Sequence, residues 1–298
     1  MYDIIIIGAG ISGLTSAIYG LNANKKVLVI DQNGYGGQIM NSQEVDNYPG
    51  FSNISGFELM KNIYDQATRL GLEIRYEKVE KITKEKQVIL KEETLQAKAI
   101  IIATGLISRT LGLEGEDKLV GRGISYCATC DGFFYKGKTV AVVGGGNTAL
   151  EDAIYLSNLC KKVYLIHRRE EFRAEEKKLH PLNQKDNMEM ITNAVVTAIH
   201  GDDKLESITI KNKEQEKTLE IDGLFLAIGK IPENEILKDV IELTEDGFIK
   251  SDELCHTNIE GIFVAGDIRE KKIRQLVTAA SDGAVAAIEA VNYINDNY

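Results

Sequence analysis

The sequence predicts an α/β protein with two Rossmann-like, three-layer domains, one of which is inserted into the other. Two copies of a strand–glycine turn–helix–strand unit carry this prediction, one beginning at Tyr2 and the other at Lys138. A third observation is that short apolar strands ending in glycine lie before and after the second copy, at residues 100–105, 224–229 and 261–267. One glycine-rich turn is a weak signal, but two copies in the same context favour paired dinucleotide-binding units.

The first unit begins with a strand, residues 2–7, that ends in four consecutive β-branched isoleucines and is followed by the turn GAGISG at residues 8–13. A helix follows, and a second strand, residues 26–30, ends at Asp31. The glycines permit a tight turn and let the backbone approach a pyrophosphate at the helix N-terminus. The carboxylate of Asp31, 23 residues after Gly8, is placed to accept hydrogen bonds from ribose hydroxyls.

The second unit repeats this construction. Its first strand is residues 138–143, its turn is GGGNTA at residues 144–149, and its next strand is residues 162–166. His167 then occupies the position that the acidic residue holds in the first unit. The repeat therefore predicts a second dinucleotide site with a different preference at the ribose.

The residues after this strand indicate what that preference is. The chain reads HRREEFR, with arginines at Arg168, Arg169 and Arg173. Guanidinium groups bind a ribose 2′-phosphate bidentately, whereas a carboxylate would repel it, so the unit should prefer NADP(H) to NAD(H). The alternative is that these arginines pair with the neighbouring glutamates on a solvated helix. Their position at the end of the strand favours the cofactor.

The first unit is expected to hold FAD. It carries the acidic residue at the ribose position, and further nucleotide-site signals lie near the C-terminus. There residues 261–267 form a short strand ending in Gly-Asp, which can meet the ribityl chain and phosphate of an extended dinucleotide. Residues 274–280 begin a helix whose N-terminus can face the flavin. Residues 100–105 and 224–229 are similar strand endings, one from each domain.

The cysteine spacing favours a redox site. Cys127 and Cys130 are three residues apart, whereas Cys160 and Cys255 stand alone and are expected to be small buried hydrophobes. A zinc site would need a second pair of ligands, which neither the lone cysteines nor the four histidines supply at metal spacing. A structural bridge would close too short a loop to stabilise much. A redox-active pair that opens and closes readily fits best.

Residues 124–134, ISYCATCDGFF, resemble the active-site segment of the low-molecular-weight, bacterial-type thioredoxin reductases. The turn at residues 144–149 and the stretch 167–173 match the NADPH site of that family. Its FAD contacts are matched by residues 36–38, 46–50 and 266–275. Two departures are Ile11, where the family often has proline, and residues 231–234, which bear only on local loop geometry. The resemblance covers residue 2 to about residue 293.

The resemblance implies a flavoprotein disulfide reductase that passes electrons from NADPH through FAD and the Cys127–Cys130 pair to oxidised thioredoxin. In this scheme Cys130 is the thiol next to the flavin, Cys127 attacks the protein substrate, and Asp131 is the general acid for the departing thiolate. Because the nicotinamide and the disulfide belong to one domain, that domain is expected to rotate between the half-reactions. A homodimer is expected from the family alone.

The expected site residues come from these motifs and from the strand endings. The expected FAD contacts are Gly8, Gly10, Ser12, Gly13, Asp31, Gln32, Gly36, Gly37, Gln38, Asn47, Thr104, Gly105, Gly266, Asp267, Arg274, Gln275 and Leu276. The expected NADPH contacts are Gly144, Gly146, Asn147, Thr148, Ala149, His167, Arg168, Arg169, Arg173, Ile228 and Gly229. No metal site is expected.

The expected domain limits follow from the order of these motifs. The FAD-binding domain comprises residues 1–112 and 241–298, and the NADPH-binding domain with the dithiol comprises residues 113–240. The crossings are expected in two polar or charged stretches, residues 112–117 and 230–240, which suit a hinge between compact domains.

Charge and patterning limit the partners. A net charge of -10 makes nucleic acid and anionic membranes poor candidates. The uncharged run at residues 4–24 is interrupted by four glycines, so it predicts a buried strand and helix rather than a membrane segment, and a cytoplasmic location is expected. Two alternatives to the thioredoxin scheme stay open. One is a related flavin disulfide reductase with another protein-disulfide acceptor, and the other is a dithiol redox sensor that turns over little.

Overall fold

The computed structural model of the chain describes residues 1–42, 45–172, 185–212, 215–237 and 239–298, without the side chains of residues 41 and 130. It divides into two compact units. The first unit is formed by Met1–Ile107 together with Ile231–Tyr298, and the second is formed by Ser108–Lys230. The predicted insertion of one α/β domain into another is therefore confirmed.

The first unit contains a seven-stranded sheet centred on a parallel core. Its strands are β1 (Tyr2–Ile7), β2 (Val27–Ile30), β3 (Glu73–Arg75), β4 (Lys81–Ile82), β5 (Gln87–Ile89), β6 (Thr94–Ile102) and β17 (Ile262–Val264). The parallel part has the order β3-β2-β1-β6-β17. The first half of β6 also pairs in antiparallel fashion with β5, and β5 pairs with β4.

The side chains of the central strand alternate between two apolar layers. Ile4 and Ile6 pack with the helices α1 (Ile11–Asn22), α2 (Gly56–Arg69) and α6 (Leu276–Asn297). Ile5 and Ile7 pack on the opposite face, against β4, β5 and the segment after the second crossing. This alternation is what the period of a strand requires when both faces are covered. The first unit therefore has the three layers that the sequence predicts.

The uncharged run at residues 4–24 folds as β1, a glycine turn and α1, as predicted. α1 is held to α6 by the Ser16 hydroxyl, which lies 2.9 Å from the carbonyl oxygens of both Ser12 and Gly283. A Cβ at Gly283 would overlap the Ser12 carbonyl oxygen, so the close approach of the two helices requires glycine there. In the described part of the chain, no helix combines the length and the apolar character needed to cross a membrane.

The second unit contains a five-stranded parallel sheet with the order β11-β10-β9-β15-β8. These strands are β8 (Ile124–Ser125), β9 (Thr139–Gly144), β10 (Lys162–Ile166), β11 (Met188–Ile191) and β15 (Gly223–Ala227). One face packs on α5 (Asn147–Ser157) through Leu150, Ala153 and Leu156. The other face packs on the antiparallel strands β12 (Val195–His200), β13 (Ser207–Lys211) and β14 (Glu216–Glu220). Two short helices, α3 (Glu116–Leu119) and α4 (Ala128–Asp131), complete the unit.

The chain passes between the units along two short strands, β7 (Leu106–Ser108) and β16 (Lys230–Pro232), which pair with each other. The compact units divide after residues 107 and 230. The predicted limits lie further along the chain, after residues 112 and 240, and they stay predictions.

Two local interactions explain why the compact units divide at these earlier positions. At the first crossing, the buried carboxylate of Glu116 accepts hydrogen bonds from the backbone N–H groups of Leu111, Gly112 and Leu113 at 2.9–3.3 Å, all within the second unit. After the second crossing, the side chains of Leu237, Val240 and Ile241 are buried in the core of the first unit. Residues 111–113 are therefore held within the second unit, and residues 237–241 are held in the core of the first unit.

Candidate dinucleotide and dithiol sites

The turn after β1 uses its three glycines in three different ways. Gly8 has φ 106°, and a Cβ on it would overlap the carbonyl oxygen of Ala103 at the end of β6. A Cβ on Gly13 would overlap the carbonyl oxygen of Gly8, so this glycine lets α1 approach the turn. Gly10 has no atom within 4 Å of its Cβ position. The open side of the turn is therefore at Gly10, where a ligand can approach the backbone.

The start of α1 and the end of β2 complete this part of the site. Gly10 is the N-cap of α1, and no side chain caps it, so the first N–H groups of the helix are available to an anion. Asp31 follows β2 and accepts hydrogen bonds from Ala9 N–H and Asn33 N–H, both at 2.8 Å. The carboxylate thus lies against the turn, as ribose binding beside a pyrophosphate requires. These residues fit the adenosine end of FAD.

A second layer of backbone covers the turn. The N–H of Gly36 donates to Ala9 O at 2.8 Å, and Gly37 has φ 66° with its Cβ position 3.2 Å from the Cα of Gly10. Gln38 Nε2 donates to Leu106 O at 3.2 Å. The three predicted contacts at residues 36–38 are therefore brought to the same place as the glycine turn. Gln32 lies exposed beside Asp31.

The carboxyl end of β6 carries two more of the expected residues. Thr104 Oγ1 donates to Glu233 O at 3.0 Å, and Gly105 has φ 71°. Glu233 was not among the predicted residues, although it lies in the stretch 231–234 that departs from the family pattern. Burial, followed by the charge of Asp31, raises the pKa of Glu233. The two carboxyl groups therefore interact electrostatically across the site.

The carboxyl end of β17 carries Gly266 and Asp267. Gly266 has φ 81°, and a Cβ on it would lie 2.6 Å from Ser12 Oγ, so this strand ending meets the first turn of α1. The N–H of Gly266 donates to Asp282 Oδ2 at 3.1 Å. Asp282 also pairs with Arg269 at 2.8 Å and with Lys271 at 2.7 Å, and all three side chains are nearly buried. Sequence reasoning missed this ionic cluster because its members belong to no local motif.

The start of α6 brings together the remaining expected FAD contacts. Gln275 is the N-cap, its backbone N–H donates to Thr278 Oγ1 at 3.1 Å, and Leu276 is the first helical residue. Asn47 Nδ2 donates to Gln275 Oε1 at 3.2 Å. Arg274 Nε donates to Asp267 O at 3.2 Å, which ties the two predicted motifs to each other. The first unit thus gathers its predicted residues at the carboxyl ends of β1, β2, β6 and β17, and this arrangement fits FAD.

The glycine turn of the second unit repeats the first with one difference. Gly144 has φ 158°, and a Cβ on it would overlap Ala227 O at the end of β15. A Cβ on Gly145 would overlap the ring of His167. Gly146 has no atom within 4 Å of its Cβ position and is the N-cap of α5, again without a side-chain cap. The middle glycine is therefore required by a side chain of the protein, which the sequence did not suggest.

His167 forms part of the wall of this site. The imidazole is buried and stacks on Phe172, with ring centroids 5.0 Å apart and an interplanar angle of 21°. Its Nε2–H donates to Glu171 O at 3.1 Å. This arrangement leaves Arg168, the next residue, to line the cavity. Arg169 accepts a backbone hydrogen bond from Asn193 N–H at 3.2 Å, and Arg173 lies outside the described residues.

A cavity of about 690 Å³ opens at the carboxyl edge of the parallel sheet in the second unit. It is lined by predicted residues, namely Gly144, Gly146, Thr148, His167, Arg168, Ile228 and Gly229. Asn147 and Ala149, the first and third residues of α5, continue from this wall. Arg109 and Lys230 also line the cavity and add positive charge that sequence reasoning missed. The volume, the free helix N-terminus and the cations fit a dinucleotide phosphate such as NADPH.

Tyr126 is a further cavity residue that the sequence did not identify. Its hydroxyl donates to Glu116 Oε1 at 3.3 Å. Burial, followed by the charge of Glu116, raises the pKa of Tyr126 to about 12. The phenol is therefore protonated throughout the neutral range, and because Tyr126 directly precedes Cys127, it connects the cavity wall to the cysteine segment.

The cysteine segment follows β8 at the same carboxyl edge of this sheet. Cys127 is half-buried and disulfide-bonded, and the side chain of Cys130 lies outside the described part of the structure. The N–H of Cys127 donates to Ser125 Oγ at 3.0 Å, and Cys127 O accepts from Asp131 N–H at 3.2 Å. Thr129 Oγ1 donates to Cys127 Sγ at 3.4 Å, since a bonded sulfur has no hydrogen to give. α4 therefore begins at Ala128, the residue directly after Cys127.

Asp131 ends α4, and its side chain turns back toward β8. Its Oδ2 atom lies 2.6 Å from Ser125 Oγ. The carboxylate does not cap the 3₁₀ turn, Gly132–Tyr135, that comes next. Ser125, which sequence reasoning did not single out, is the residue that holds this carboxyl group.

Gly132 lets the cysteine segment pack closely on α5. A Cβ on Gly132 would lie 2.8 Å from Tyr155 Cε1 and 3.0 Å from Leu156 Cδ2. The next two residues, Phe133 and Phe134, are 61% and 62% exposed. Paired exposed aromatic side chains beside a disulfide offer an apolar surface to a partner.

The lone cysteines differ from Cys127. Cys160 and Cys255 are free and buried, and burial first of all raises the pKa of each thiol to about 11. Such thiols are poor nucleophiles at neutral pH. Within the described residues, no group of three or more His, Cys, Asp or Glu side chains could hold a metal ion.

The chain is similar to known proteins along nearly its whole length. A family model described as "Pyridine nucleotide-disulphide oxidoreductase" matches residues 2–283. A thioredoxin reductase from Mycolicibacterium smegmatis is 40% identical over 99% of this chain and 97% of its own length. The crystal structure of Lactococcus lactis thioredoxin reductase in its FR conformation superposes with a TM-score of 0.81 and 37% identity, covering 99% of this chain and 100% of that chain. The Streptococcus pyogenes thioredoxin reductase structure gives a TM-score of 0.77 at 38% identity, covering 99% of both chains.

The substitution Gly145→Ala is expected to destabilise the protein and weaken NADPH binding. The new methyl group would overlap the His167 ring, and moving a packed ring typically costs about 1–3 kcal/mol. Gly146→Ala is the matched control, because its Cβ position is open and its φ of -97° suits alanine. That variant should keep its melting temperature and lose only affinity for the dinucleotide. Thermal unfolding and NADPH titration measure stability and affinity in both variants. An unchanged melting temperature in Gly145→Ala would contradict the close contact between position 145 and the His167 ring.

The substitution Asp152→Asn is expected to stabilise the protein at pH 8. Burial, followed by the charge of Glu151, raises the pKa of Asp152 from 3.8 to about 6. Because the folded state prefers the protonated acid, stability is lost as the pH rises from about 4 through 6. Removing the charge should therefore raise the free energy of unfolding at pH 8 by about 1–3 kcal/mol, and the gain should vanish toward pH 4. Urea unfolding at both pH values measures this.

The exposed Asp203 is the control for that experiment. Asp203→Asn makes the same chemical change on the surface of the same unit, so it should alter stability by less than about 0.5 kcal/mol at either pH. A gain in Asp152→Asn that does not depend on pH would show that burial of the charge is not the cause.

Proposed function

We propose, on the premise that this chain belongs to the pyridine nucleotide-disulphide oxidoreductases and within them to the thioredoxin reductases, that it passes electrons from NADPH through FAD and the Cys127–Cys130 pair to oxidised thioredoxin. One observation carries the proposal. The disulfide-bonded Cys127 follows β8 at the carboxyl edge of the same sheet that carries the glycine turn and the arginine-lined cavity.

The overall reaction balances as NADPH plus H⁺ plus a protein disulfide, giving NADP⁺ plus a protein dithiol. When bound, FAD supplies the step that a dithiol and a nicotinamide cannot perform together, since it accepts a hydride and delivers two electrons to a disulfide. The residues of this chain bind the cofactors, present the disulfide to its partner and donate the proton that the released thiolate takes up.

The first unit is suited to hold FAD along its extended length. The N–H groups at the start of α1 and the open side of Gly10 face a pyrophosphate, and Asp31 is placed for the ribose. The Gly266–Asp267 ending and the N-terminus of α6 supply a second group of contacts. Support for this placement comes from the hydrogen bonds that link these motifs to one another.

The second unit is suited to hold NADPH in its cavity. The N-terminus of α5 faces the pyrophosphate, and Arg168 is available for the 2′-phosphate. Arg109 and Lys230 strengthen the positive field around the phosphates. The proposed preference for NADPH over NADH rests on these cations and on the absence of a carboxylate at the His167 position.

The dithiol segment is suited to exchange with a protein disulfide. Cys127 is a partly exposed residue and is the proposed attacking thiol, and by the family resemblance Cys130 is the proposed flavin-proximal one. Asp131 is the proposed proton donor to the thiolate that is released when the disulfide is reduced. The exposed Phe133 and Phe134 support a protein, rather than a small molecule, as the acceptor.

The inserted unit is proposed to rotate between two half-reactions. The chain crosses between the units only twice, next to residues 107 and 230, which is the arrangement of a hinge. A similar protein, Lactococcus lactis thioredoxin reductase, has been solved in a conformation designated FR. A homodimeric state and a cytoplasmic location also remain proposals, to be checked by light scattering and cell fractionation. The two free, buried thiols agree with a reducing compartment.

The proposed function predicts NADPH-dependent reduction of thioredoxin that requires Cys127. The FAD-loaded protein is mixed anaerobically with NADPH, and oxidised thioredoxin is then added while flavin absorbance and NADPH loss are followed. NADPH should bleach the flavin in both the wild type and Cys127→Ser. Only the wild type should then consume NADPH catalytically, and NADH should support at most about a tenth of the rate.

Other results would redirect the proposal. Bleaching without turnover would retain both cofactors but require another disulfide acceptor or a sensor role. Turnover that persists in Cys127→Ser would remove the dithiol from the electron path. Absence of bleaching by NADPH would mean that the cavity is not the nicotinamide dinucleotide site.

The proposed rotation predicts that the half-reactions separate when the units are covalently cross-linked. Cross-linked protein should perform one half-reaction, either flavin reduction by NADPH or reduction of the cysteine pair, and should lose steady-state turnover. Reduction of the cross-link should restore turnover, which serves as the control for damage. Full turnover in fully cross-linked protein would contradict rotation.

A further inference from the structure

Ser125 is a buried hydroxyl in direct contact with both the cysteine segment and its acid. It is the last residue of β8, an edge strand of the parallel sheet, and its side chain is 4% exposed. The chain leaves the sheet here and reaches Cys127 two residues later. A hydroxyl buried at such a place must find hydrogen-bond partners, because an unsatisfied polar group is costly.

The Ser125 hydroxyl has three partners within hydrogen-bond distance. Cys127 N–H donates to Oγ at 3.0 Å. The carbonyl oxygen of Cys127 is an acceptor at 3.2 Å, and Oδ2 of Asp131 lies at 2.6 Å. The shortest of the three is the contact with Asp131, in the range of a hydrogen bond that involves a charged group.

The hydroxyl has one hydrogen to donate and two lone pairs with which to accept. When Asp131 is ionised, the hydroxyl donates to its carboxylate and accepts from Cys127 N–H. When Asp131 is protonated, the carboxyl group donates to the second lone pair of Ser125, and the hydroxyl hydrogen turns to Cys127 O. Every group therefore has a partner in both states, and no side chain has to move.

We propose that Ser125 is a positioning residue that holds the Asp131 carboxyl group beside the cysteine pair in both of its protonation states. The inference rests on the proposed function, in which Asp131 gives a proton to the released thiolate and later regains one. If the Asp131 carboxyl group lost its hydrogen bond whenever its protonation state changed, it would be held less firmly at the moment when the proton is transferred. Ser125 removes this difficulty by reversing the direction of one hydrogen bond.

The surroundings of Asp131 agree with this role. Tyr135, four residues further on, has its pKa raised by burial first and then by the charges of Asp131 and Asp222. The charge of Asp131 therefore acts on the partly buried phenol of Tyr135. Among the side chains that the structure describes, Ser125 is the principal hydrogen-bond partner of this carboxylate.

A purely structural role for Ser125 would have different consequences. In that case its main contact would be the N–H of Cys127, and its removal would loosen the turn before α4 whatever residue stands at 131. A positioning role instead couples Ser125 to Asp131. The two roles therefore separate in a double-mutant cycle.

The test compares Ser125→Ala, Asp131→Asn and the double variant, each loaded with FAD, in the NADPH–thioredoxin assay. Ser125→Ala is expected to lower kcat by about 10- to 100-fold, the range for losing a hydrogen bond to a charged group, with the KM for thioredoxin changed less than about twofold. In the Asp131→Asn background, the same change should lower kcat by no more than about twofold. Ser125→Thr keeps the hydroxyl and should restore kcat to within about threefold of the wild type.

Several outcomes would overturn the inference. An equal loss of kcat from Ser125→Ala with and without Asp131, matched by an equal drop in melting temperature, would make the role structural. Full activity in Ser125→Ala, with an active wild type, would refute the inference and leave the proposed function intact. An inactive wild type would refute both. If Ser125→Ala does not fold, Ser125→Cys takes its place, because a thiol is a weaker hydrogen-bond donor than a hydroxyl. Ser125→Cys should then lower kcat in the wild-type background and leave it nearly unchanged in the Asp131→Asn background.

Discussion

Both units depend on one close contact, in which the first glycine of the turn approaches a carbonyl oxygen at the end of the neighbouring strand. This glycine has no room for a side chain. In the first unit Gly8 meets Ala103 at the end of β6, and in the second Gly144 meets Ala227 at the end of β15. Because a methyl group at either position would overlap backbone, the turn can form only with glycine. The contact places the start of the following helix directly over the carboxyl edge of the sheet.

The rest of each site follows from this contact. With the helix start fixed, its uncapped N–H groups face the edge, and whatever residue ends the next strand faces the same place. In the first unit this residue is Asp31, which closes onto Ala9 N–H. In the second unit it is His167, whose ring packs over Gly145 and leaves Arg168 to the cavity. One backbone geometry thus serves two different nucleotides through the residue at a single position.

This explains how much could be predicted from the sequence. The fold class and the strand–turn–helix units are encoded by residues that are close together in the chain. They can be recognised because the turn geometry requires glycine at fixed positions. The strand endings at residues 100–105 and 224–229 could be identified for the same reason. These strand endings contain Ala103 and Ala227, which lie against the first turn glycine of each unit. The same pattern of apolar residues followed by glycine therefore occurs once in each unit. The contacts between predicted residues, such as Asn47 with Gln275, follow from the fold rather than from either motif.

The residues that sequence reasoning missed are polar groups whose partners lie elsewhere in the chain. Asp282 reaches Gly266, and Glu233 reaches Thr104, across separations that no local pattern records. Arg109 and Lys230 enter the cavity because the chain crosses between the units there, and the predicted limits of 112 and 240 had placed Arg109 in the other domain. The sequence offers no reason for glycine at position 145, and the reason is the ring of His167.

The second unit shows why the disulfide and the dinucleotide cavity occur together. In a parallel sheet all carboxyl ends lie at one edge, so β8, β9 and β15 deliver the cysteine segment, the glycine turn and the cavity wall to that edge. β8 is only two residues long and lies at the side of the sheet, so the cysteine segment leaves the sheet directly after Ser125. A buried hydroxyl at that end is bonded to both the backbone of Cys127 and the carboxyl group of Asp131, and in the proposed role it holds this acid in place. The sheet therefore determines where the chemistry takes place, and Ser125 determines how firmly its acid is held there.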